Sequence, residues 1–225
     1  MPFALGVPLK KTSEFNPDCR SCPRLAAYLD EVKQGYPDYH ARPVASFGDP
    51  EATLLIVGLA PGMHGANATG RPFTGDFAGI LLYETLYKFG LSNQPTSTSQ
   101  DDGLRLVDCR ITNAVKCLPP QNKPTTAEVK ACNDYLTAEL NNLPRGAVVL
   151  ALGAIAHGAV LRALALRAAQ YPFQHCRAHH LPQELYLVDS YHCSRYNTQT
   201  RRLTETMFHQ VFELAKSLLN GAAVC

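Results

Sequence analysis

Long hydrophobic runs are absent from this 225-residue sequence. It contains no stretch of about 18 consecutive apolar residues, so a transmembrane helix is not expected. The first residues, MPFALGVPLKK, have no charged segment followed by a long apolar one, and they therefore predict no signal peptide. The sequence predicts a cytoplasmic protein without a membrane partner.

A strong excess of either charge is also missing. The net charge is +2, and charged residues make up 18% of the chain. This weak basic excess does not by itself indicate binding to nucleic acid. The apolar fraction of 46% is typical of a globular chain, and 225 residues are enough for one domain with a sizeable core.

Three familiar motifs are missing as well. The chain has no P-loop and no GxGxxG fingerprint, and it lacks the HxE…PCxxC pattern of zinc-dependent base deaminases. Base deamination is therefore excluded as an activity.

Cysteine, in contrast, is plentiful, with eight residues. Without a secretory signal they indicate a reducing compartment, with metal ligands or free thiols in place of disulfides. Four of them form two pairs, Cys19 with Cys22 and Cys117 with Cys132. Four thiolates suit tetrahedral zinc or an iron–sulfur cluster, and the residue types leave both open. Either centre would tie the N-terminal segment, about residues 1–45, onto a single domain spanning residues 1–225.

The remaining cysteines and a histidine pair carry no metal prediction. Four cysteines have no partner at ligand spacing and are interpreted as ordinary small residues: Cys109, Cys176, Cys193 and Cys225. For His179 and His180, no third ligand lies nearby in the sequence, so a metal site is not predicted there.

Strand-like and helix-like patterns alternate along the chain. The predicted strands are 53–58, 108–113, 147–152 and 185–189, and the predicted helices are 80–89, 126–142, 154–167 and 203–219. Four such alternations predict an α/β fold, a three-layer sandwich with a central four-stranded parallel sheet flanked by helices. Ligands of such sheets bind at the carboxyl ends of the strands.

Two loops at those strand ends have the composition of a site. Residues 58–76 contain five glycines together with His, Asn and Asp, which favours a binding loop over a generic connection. Residues 190–202 combine His192 with Tyr and Arg, which favours catalysis over a purely structural histidine.

Three motifs together resemble those of the iron–sulfur uracil-DNA glycosylases. They are GLAPG at 58–62 with TGRPF at 69–73, ITNAVKCLPP at 111–120, and HCSR at 192–195. The resemblance extends from Cys19 to about Phe212. Within that group, the Gly-Leu-Ala-Pro form and the Thr74-Gly-Asp76 tail resemble family 5, also called type B.

This resemblance implies a function and a cofactor. The expected function is monofunctional hydrolysis of the N-glycosidic bond of uracil in double-stranded DNA by base flipping, leaving an abasic site. Hypoxanthine, ethenocytosine and mismatched thymine are further expected substrates. The expected cofactor is a [4Fe–4S] cluster on the four paired cysteines, and the expected state is a monomer. The alternative is an iron–sulfur DNA-binding or redox module without glycosylase activity.

The resemblance also assigns roles to single residues. His192 is predicted to stabilise negative charge on the departing base, as an oxyanion-hole donor does. Phe73 is expected to stack on the base, as the matching family position does, and Asn113 is expected to hydrogen-bond its edge. The predicted substrate-binding loop consists of Gly58, Leu59, Ala60, Pro61 and Gly62.

One position departs from the wider superfamily. Many relatives carry an acidic or amide residue where this chain has Ala60. Positioning of the water is therefore assigned to Asp76, with Asn67 and His64 as lesser candidates. An N-cap of the following helix is an equally good interpretation of Asp76.

Basic and aromatic residues after the histidine predict contacts with DNA. They are Arg195, Tyr196, Arg201 and Arg202. Arg195 or Tyr196 is expected to fill the gap left by the flipped nucleotide. For Arg201 and Arg202, a solvated basic loop is nearly as good an interpretation.

Overall fold

The computed structural model describes residues 14–222, which form a six-stranded sheet with helices on both faces. The strands are β1 (Phe47–Gly48), β2 (Leu54–Gly58), β3 (Cys109–Asn113), β4 (Val148–Leu152), β5 (Ala178–Leu181) and β6 (Leu185–Ser190). The main helices are α1 (Pro23–Gly35), α2 (Ala66–Thr69), α3 (Phe77–Lys88), α4 (Thr126–Asn141), α5 (Ala154–Ala163), α6 (Arg195–Gln199) and α7 (Glu205–Leu219).

The strand order is β1-β3-β2-β4-β6-β5. The four central strands are parallel, and the edge strands β1 and β5 pair antiparallel with their neighbours. The predicted parallel sheet is confirmed as the centre, but the predicted strand count of four was too low. Strand β1 has only two residues, and two of the four residues of β5 are histidines, so neither strand forms an apolar run in the sequence.

Alternate residues of β2 face the two helical layers. Leu55 and Val57 belong to an apolar cluster with residues of α1, α4 and α5. Leu54 and Ile56 belong to a second cluster with residues of α3 and α7. A strand that is buried on both faces is uniformly apolar, as β2 and β4 are, because each side chain meets one layer or the other.

Helix ends follow the capping residues. Asp76 caps α3, and its carboxylate accepts a hydrogen bond from the Gly79 N–H at 2.8 Å. Thr125 and Glu128 form a capping box at the start of α4. The predicted extension of α5 to residue 167 was wrong. The helix ends at Ala163, and Ala165 has the left-handed φ of 56° that breaks the helical path.

Helix α1 was not predicted from the sequence. Pro23 stands at its first turn, where the missing N–H costs nothing. Leu25, Leu29 and Val32 pack into the same apolar cluster as α4 and α5. Packing thus holds this part of the N-terminal segment on the domain. Cys225 lies outside the described residues.

Among residues 14–222, none of the helices combines the length and hydrophobicity that crossing a bilayer requires. The location of the protein and its oligomeric state remain predictions.

Candidate active site

A cavity of about 540 Å³ lies at the carboxyl ends of the central strands. This is the edge at which the sequence predicts a site. Nine of its lining residues carry a predicted site role: Leu59, Ala60, Gly62, Phe73, Asp76, Asn113, His192, Arg195 and Tyr196. Among the described residues, Gly58, Pro61, Arg201 and Arg202 do not line it.

Gly58 lets two functional side chains meet. A β-carbon on Gly58 would lie 2.3 Å from Asn113 Oδ1 and 2.7 Å from Phe73 Cζ, distances that no side chain tolerates. The glycine at the end of β2 therefore leaves the space that the amide and the ring occupy. Asn113 Oδ1 is buried and has no hydrogen-bond partner among residues 14–222. A buried oxygen without a partner is costly unless a ligand supplies the hydrogen bond.

His192 lies against Phe73 in the same cavity. The two ring centroids are 5.9 Å apart, and the planes differ by 27°. His192 Nδ1 is also buried without a partner in the described chain. Burial lowers the pKa of His192 to about 4, since an apolar environment disfavours the cation. At neutral pH the residue is a neutral imidazole that can donate one hydrogen bond.

Core packing and side-chain hydrogen bonds hold the loop that follows His192. Cys193 is fully buried in the apolar core. Asn197 Nδ2 donates a hydrogen bond of 2.8 Å to the carbonyl oxygen of His192. The Ser194 side chain caps α6 by accepting from the Asn197 N–H at 3.4 Å. Side-chain hydrogen bonds and core packing thus hold the His192 backbone.

The second carboxylate oxygen of Asp76 faces the glycine-rich loop. A β-carbon on Gly65 would lie 2.8 Å from Asp76 Oδ2, so only glycine leaves room for this carboxylate. Burial raises the pKa of Asp76, while the backbone N–H groups of Gly79 and Ala78 oppose that shift. The capping interpretation is confirmed, because Oδ1 accepts a hydrogen bond from the Gly79 N–H. Both roles predicted for Asp76 are therefore compatible with the geometry.

The two lesser candidates for positioning water lie elsewhere. His64 is exposed, and its Nδ1 is 2.8 Å from the hydroxyl of Tyr39. Asn67 is fully buried, with neither end of its amide hydrogen-bonded within residues 14–222. Neither residue lines the cavity, whereas Asp76 does.

The rim of the cavity carries large exposed side chains. Tyr196 is 71% exposed on α6, Ile155 is 50% exposed on α5, and Phe77 is 40% exposed on α3. The Arg195 guanidinium lies 5.7 Å from the centre of the Phe77 ring. Of these residues, the sequence indicated only Arg195 and Tyr196. The structure adds Phe77 and Ile155.

Further lining residues had no individual role in the sequence analysis. Asn122, Leu152, Gly153, Ala154 and Ser194 complete much of the wall. Asn122 follows a proline-rich turn and has the left-handed φ of 56°. Gly153 lies close to His192, since a β-carbon on it would be 3.6 Å from His192 Cβ. Gly153 and Ala154 follow the predicted strand 147–152, so the strand-end rule indicated this position, and Asn122 is a polar residue in the loop after β3.

The four paired cysteines converge on a separate, small cavity between α1, α4 and the chain that follows β3. Cys19, Cys22, Cys117 and Cys132 line it, together with apolar side chains such as Leu25 and Val115. The N–H of Lys116 donates a hydrogen bond of 3.3 Å to Cys132 Sγ. No three of these sulfur atoms lie within 4.8 Å of one another among the described residues. The residues offer four soft thiolate ligands around one small cavity.

His179 gains partners that the sequence could not indicate. His157, His179 and Asp189 are buried, and their ligand atoms lie within 4.8 Å of one another. His157 Nδ1 is 2.7 Å from Asp189 Oδ1, and His157 Nε2 is 2.8 Å from the Tyr171 carbonyl oxygen. His179 Nε2 lies 3.4 Å from Asp189 Oδ2. Each carboxylate oxygen thus faces one imidazole in a buried polar network at the end of β6.

Comparison with known proteins identifies the family. A sequence profile of the uracil-DNA glycosylase superfamily matches residues 45–216. The chain belongs to the uracil-DNA glycosylase superfamily. The type-5 uracil-DNA glycosylase of Thermus thermophilus is 50% identical over 206 residues, covering 89% of this chain and 93% of the relative. The type-5 enzyme of Mycobacterium leprae is 42% identical, covering 89% and 91%.

One solved structure aligns with this chain at low identity. The crystal structure of wild-type Pedobacter heparinus SMUG2 matches 87% of this chain and 85% of its own, with a TM-score of 0.47 and 16% identity.

These matches confirm the resemblance to family 5 that the loop motifs predict. Membership of this superfamily also supports the prediction of a DNA glycosylase, a hydrolase of DNA repair. The cluster, the range of bases and the roles of single residues remain proposals.

Proposed function

We propose that this protein is a uracil-DNA glycosylase that flips the damaged nucleotide out of double-stranded DNA and hydrolyses its N-glycosidic bond. The observation that carries the proposal is the cavity at the strand ends. There, the Phe73 and His192 rings face a space that also receives the unpartnered oxygen of Asn113. A planar ring with a polar edge, such as uracil, satisfies all three groups at once.

Each group supports one part of the reaction. Phe73 supplies an aromatic face on which the base stacks. Asn113 accepts from an N–H on the edge of the base, and neutral His192 donates to a carbonyl oxygen that gains negative charge as the bond breaks. Asp76 Oδ2 orients the water that attacks the sugar. Because base departure is largely dissociative, positioning of the water supplies most of what the reaction demands of Asp76.

The proposed substrate range extends beyond uracil. Ala60 lines the cavity and brings no polar side chain to it. An apolar wall rejects bases of similar shape only weakly, whereas a buried polar group rejects those that cannot pair with it. Hypoxanthine, ethenocytosine and mismatched thymine are the further bases proposed on this ground.

A single-turnover assay with uracil opposite guanine in duplex DNA tests the proposed function. The expected result is release of free uracil and an abasic site that breaks only under alkali. Binding of the same duplex without release of uracil would instead support the alternative of a DNA-binding or redox module. The unpartnered His192 and Asn113 atoms favour the enzyme, since a binding module has no use for them.

The proposed cofactor is a [4Fe–4S] cluster held by Cys19, Cys22, Cys117 and Cys132. Four thiolates around one small cavity can hold either zinc or a cluster, and the resemblance to the iron–sulfur enzymes favours the cluster. When bound, such a cluster supplies a rigid cross-link between the start of α1, the chain after β3, and α4. The cluster lies away from the base cavity, so its proposed role is structural.

Metal analysis of the purified protein checks the cofactor. Anaerobic purification should give brown protein with about four irons per chain. Cys132→Ser should lose the colour and have a lower melting temperature. Cys176→Ser changes a partly exposed cysteine away from this cavity, and it should keep the wild-type colour and melting temperature. One zinc per chain without iron would contradict the cluster.

Tyr196 is proposed to enter the space that the flipped nucleotide leaves in the duplex. Tyr196→Ala should slow uracil release from duplex DNA by roughly tenfold, the scale of losing one stacking contact. Release from single-stranded DNA should change by less than about twofold, because no stack has to be opened there. Val107→Ala is the control, since Val107 is also an exposed large apolar residue but precedes β3, at the opposite end of the strands from the cavity. Equal slowing on both substrates would show that Tyr196 does not insert.

A further inference from the structure

Arg71 makes a buried contact network next to the base cavity. Its side chain is only 5% exposed. Nη1 donates to Asp102 Oδ1 at 2.8 Å and to Ser97 Oγ at 3.1 Å, and Nη2 donates to the carbonyl oxygen of Gln100. The guanidinium also lies 4.5 Å from the centre of the Phe47 ring. The polar loop 92–103 is therefore anchored on Arg71, although most of the loop is exposed.

Asp102 organises that loop around the arginine. Its carboxylate accepts hydrogen bonds from the N–H groups of Thr98 at 2.7 Å and Leu104 at 3.0 Å. Burial opposes ionisation of Asp102, but Arg71 and these N–H groups outweigh it and lower the pKa to about 2. The carboxylate is therefore ionised at neutral pH, where it pairs with the Arg71 guanidinium.

The loop contacts the residue after Phe73, and α3 contacts the residue before it. Thr74 Oγ1 lies 2.6 Å from Ser97 Oγ, and the Tyr83 hydroxyl donates to the Pro72 carbonyl oxygen at 2.7 Å. Phe73 itself has a φ of 55°, in the left-handed region that aromatic residues avoid. Such a conformation persists only where the surroundings impose it. Phe73 thus has a strained backbone conformation, and contacts to the residues on either side of it hold that conformation in place.

We propose that the Arg71–Asp102 ion pair positions Phe73 for base stacking by holding the backbone of residues 70–74 in its strained conformation. Neither Arg71 nor Asp102 lines the cavity, so both act through Phe73 and touch no substrate. A buried ion pair is in general weak evidence for stability. Its location beside Phe73, the ring proposed to stack on the base, gives it this second role. The proposal rests on the glycosylase function proposed above.

A double-mutant cycle with Phe73 tests this role. Asp102→Asn keeps the shape of the side chain and removes the charge that binds Arg71. It should lower kcat/KM for uracil in duplex DNA by about tenfold, within the range of one base-stacking contact. In a Phe73→Ala background the same change should cost less than about twofold, because the ring to be positioned is gone.

Two further variants control for loss of stability. Asp108→Asn removes a carboxylate that accepts two hydrogen bonds from Thr53 at the opposite edge of the sheet, and it should leave kcat/KM unchanged. Ser97→Ala removes the contacts to Arg71 and Thr74 but keeps the ion pair. It should give a smaller loss with the same dependence on Phe73, and it replaces Asp102→Asn if that variant does not fold.

The outcomes separate the two proposals. If the wild-type protein releases no uracil, the glycosylase function is wrong. If the wild type is active and Asp102→Asn costs the same factor with and without Phe73, the positioning role is wrong. An unchanged kcat/KM for folded Asp102→Asn and Ser97→Ala would also overturn it.

Discussion

Replacement of His192 by alanine should slow uracil release from duplex DNA by roughly 10²–10³-fold, the scale of losing one oxyanion-hole donor. The ring lies in the cavity beside Phe73 and has an unpartnered buried nitrogen, and we propose that the substrate supplies the missing hydrogen-bond partner. Affinity for duplex DNA should change by less than about threefold, because the hydrogen bond strengthens as charge develops on the base. Single-turnover rates and binding to uncleavable substrate measure the two effects separately.

His180→Ala is the matched control, because His180 is an exposed histidine on the edge strand β5. It should cleave at the wild-type rate. A rate for His192→Ala within a few-fold of wild type would remove His192 from the mechanism.

The lowered pKa of His192 adds a prediction about pH. Burial lowers this pKa from 6.5 to about 4, so the unfolded chain takes up a proton before the folded one does. Stability due to His192 is therefore present above pH 6.5 and is lost as the pH falls from 6.5 towards 4. The melting temperature of His192→Ala should fall less than that of wild type across this window. Thermal melts at a series of pH values make the comparison.

The second large effect is expected at Asp76. Asp76→Ala should slow base release by about 10²-fold, at the lower end of what a positioned acid or base contributes. Asp76→Asn keeps an oxygen acceptor for water and should retain more activity. Because burial raises the pKa of Asp76, wild-type activity should fall as acid protonates the carboxylate. Asp76→Asn should lose that dependence, which pH profiles of single-turnover rates will show.

Capping alone predicts a different pattern for Asp76. Both variants would then cleave normally, and Asp76→Ala would lose about 1 kcal/mol of unfolding free energy. Thr204→Ala is the matched control, since Thr204 caps α7 by accepting from the Met207 N–H at 3.2 Å. Thr204→Ala should lose similar stability and keep full activity. Equal activity of wild type and folded Asp76→Ala would leave Asp76 with the cap only.

Much of the architecture could be predicted from local patterns. Strands β2 and β4 could be predicted from their apolar runs, because burial on both faces requires nearly every residue to be apolar. The start of α4 could be predicted because Thr125 and Glu128 form a capping box. In it, each side chain accepts a hydrogen bond from the backbone N–H of the other residue. The edge strands and α1 were missed, since pairing with a neighbour and packing against α4 and α5 decide them.

The same division holds for the site. By itself, the sequence determined the α/β class, the two loops at the strand ends, and the family through the motifs of those loops. Only the tertiary structure decided which residues of those loops line one cavity. Asp76 lines the cavity, whereas His64, Asn67, Arg201 and Arg202 do not. It also placed Asp102 within hydrogen-bond distance of Arg71, and Asp189 within hydrogen-bond distance of His157, although each pair is far apart in the sequence. Local spacing fixes the conformation of neighbouring residues, but contacts between distant segments form only when the sheet and its helical layers pack together, so no local pattern records them.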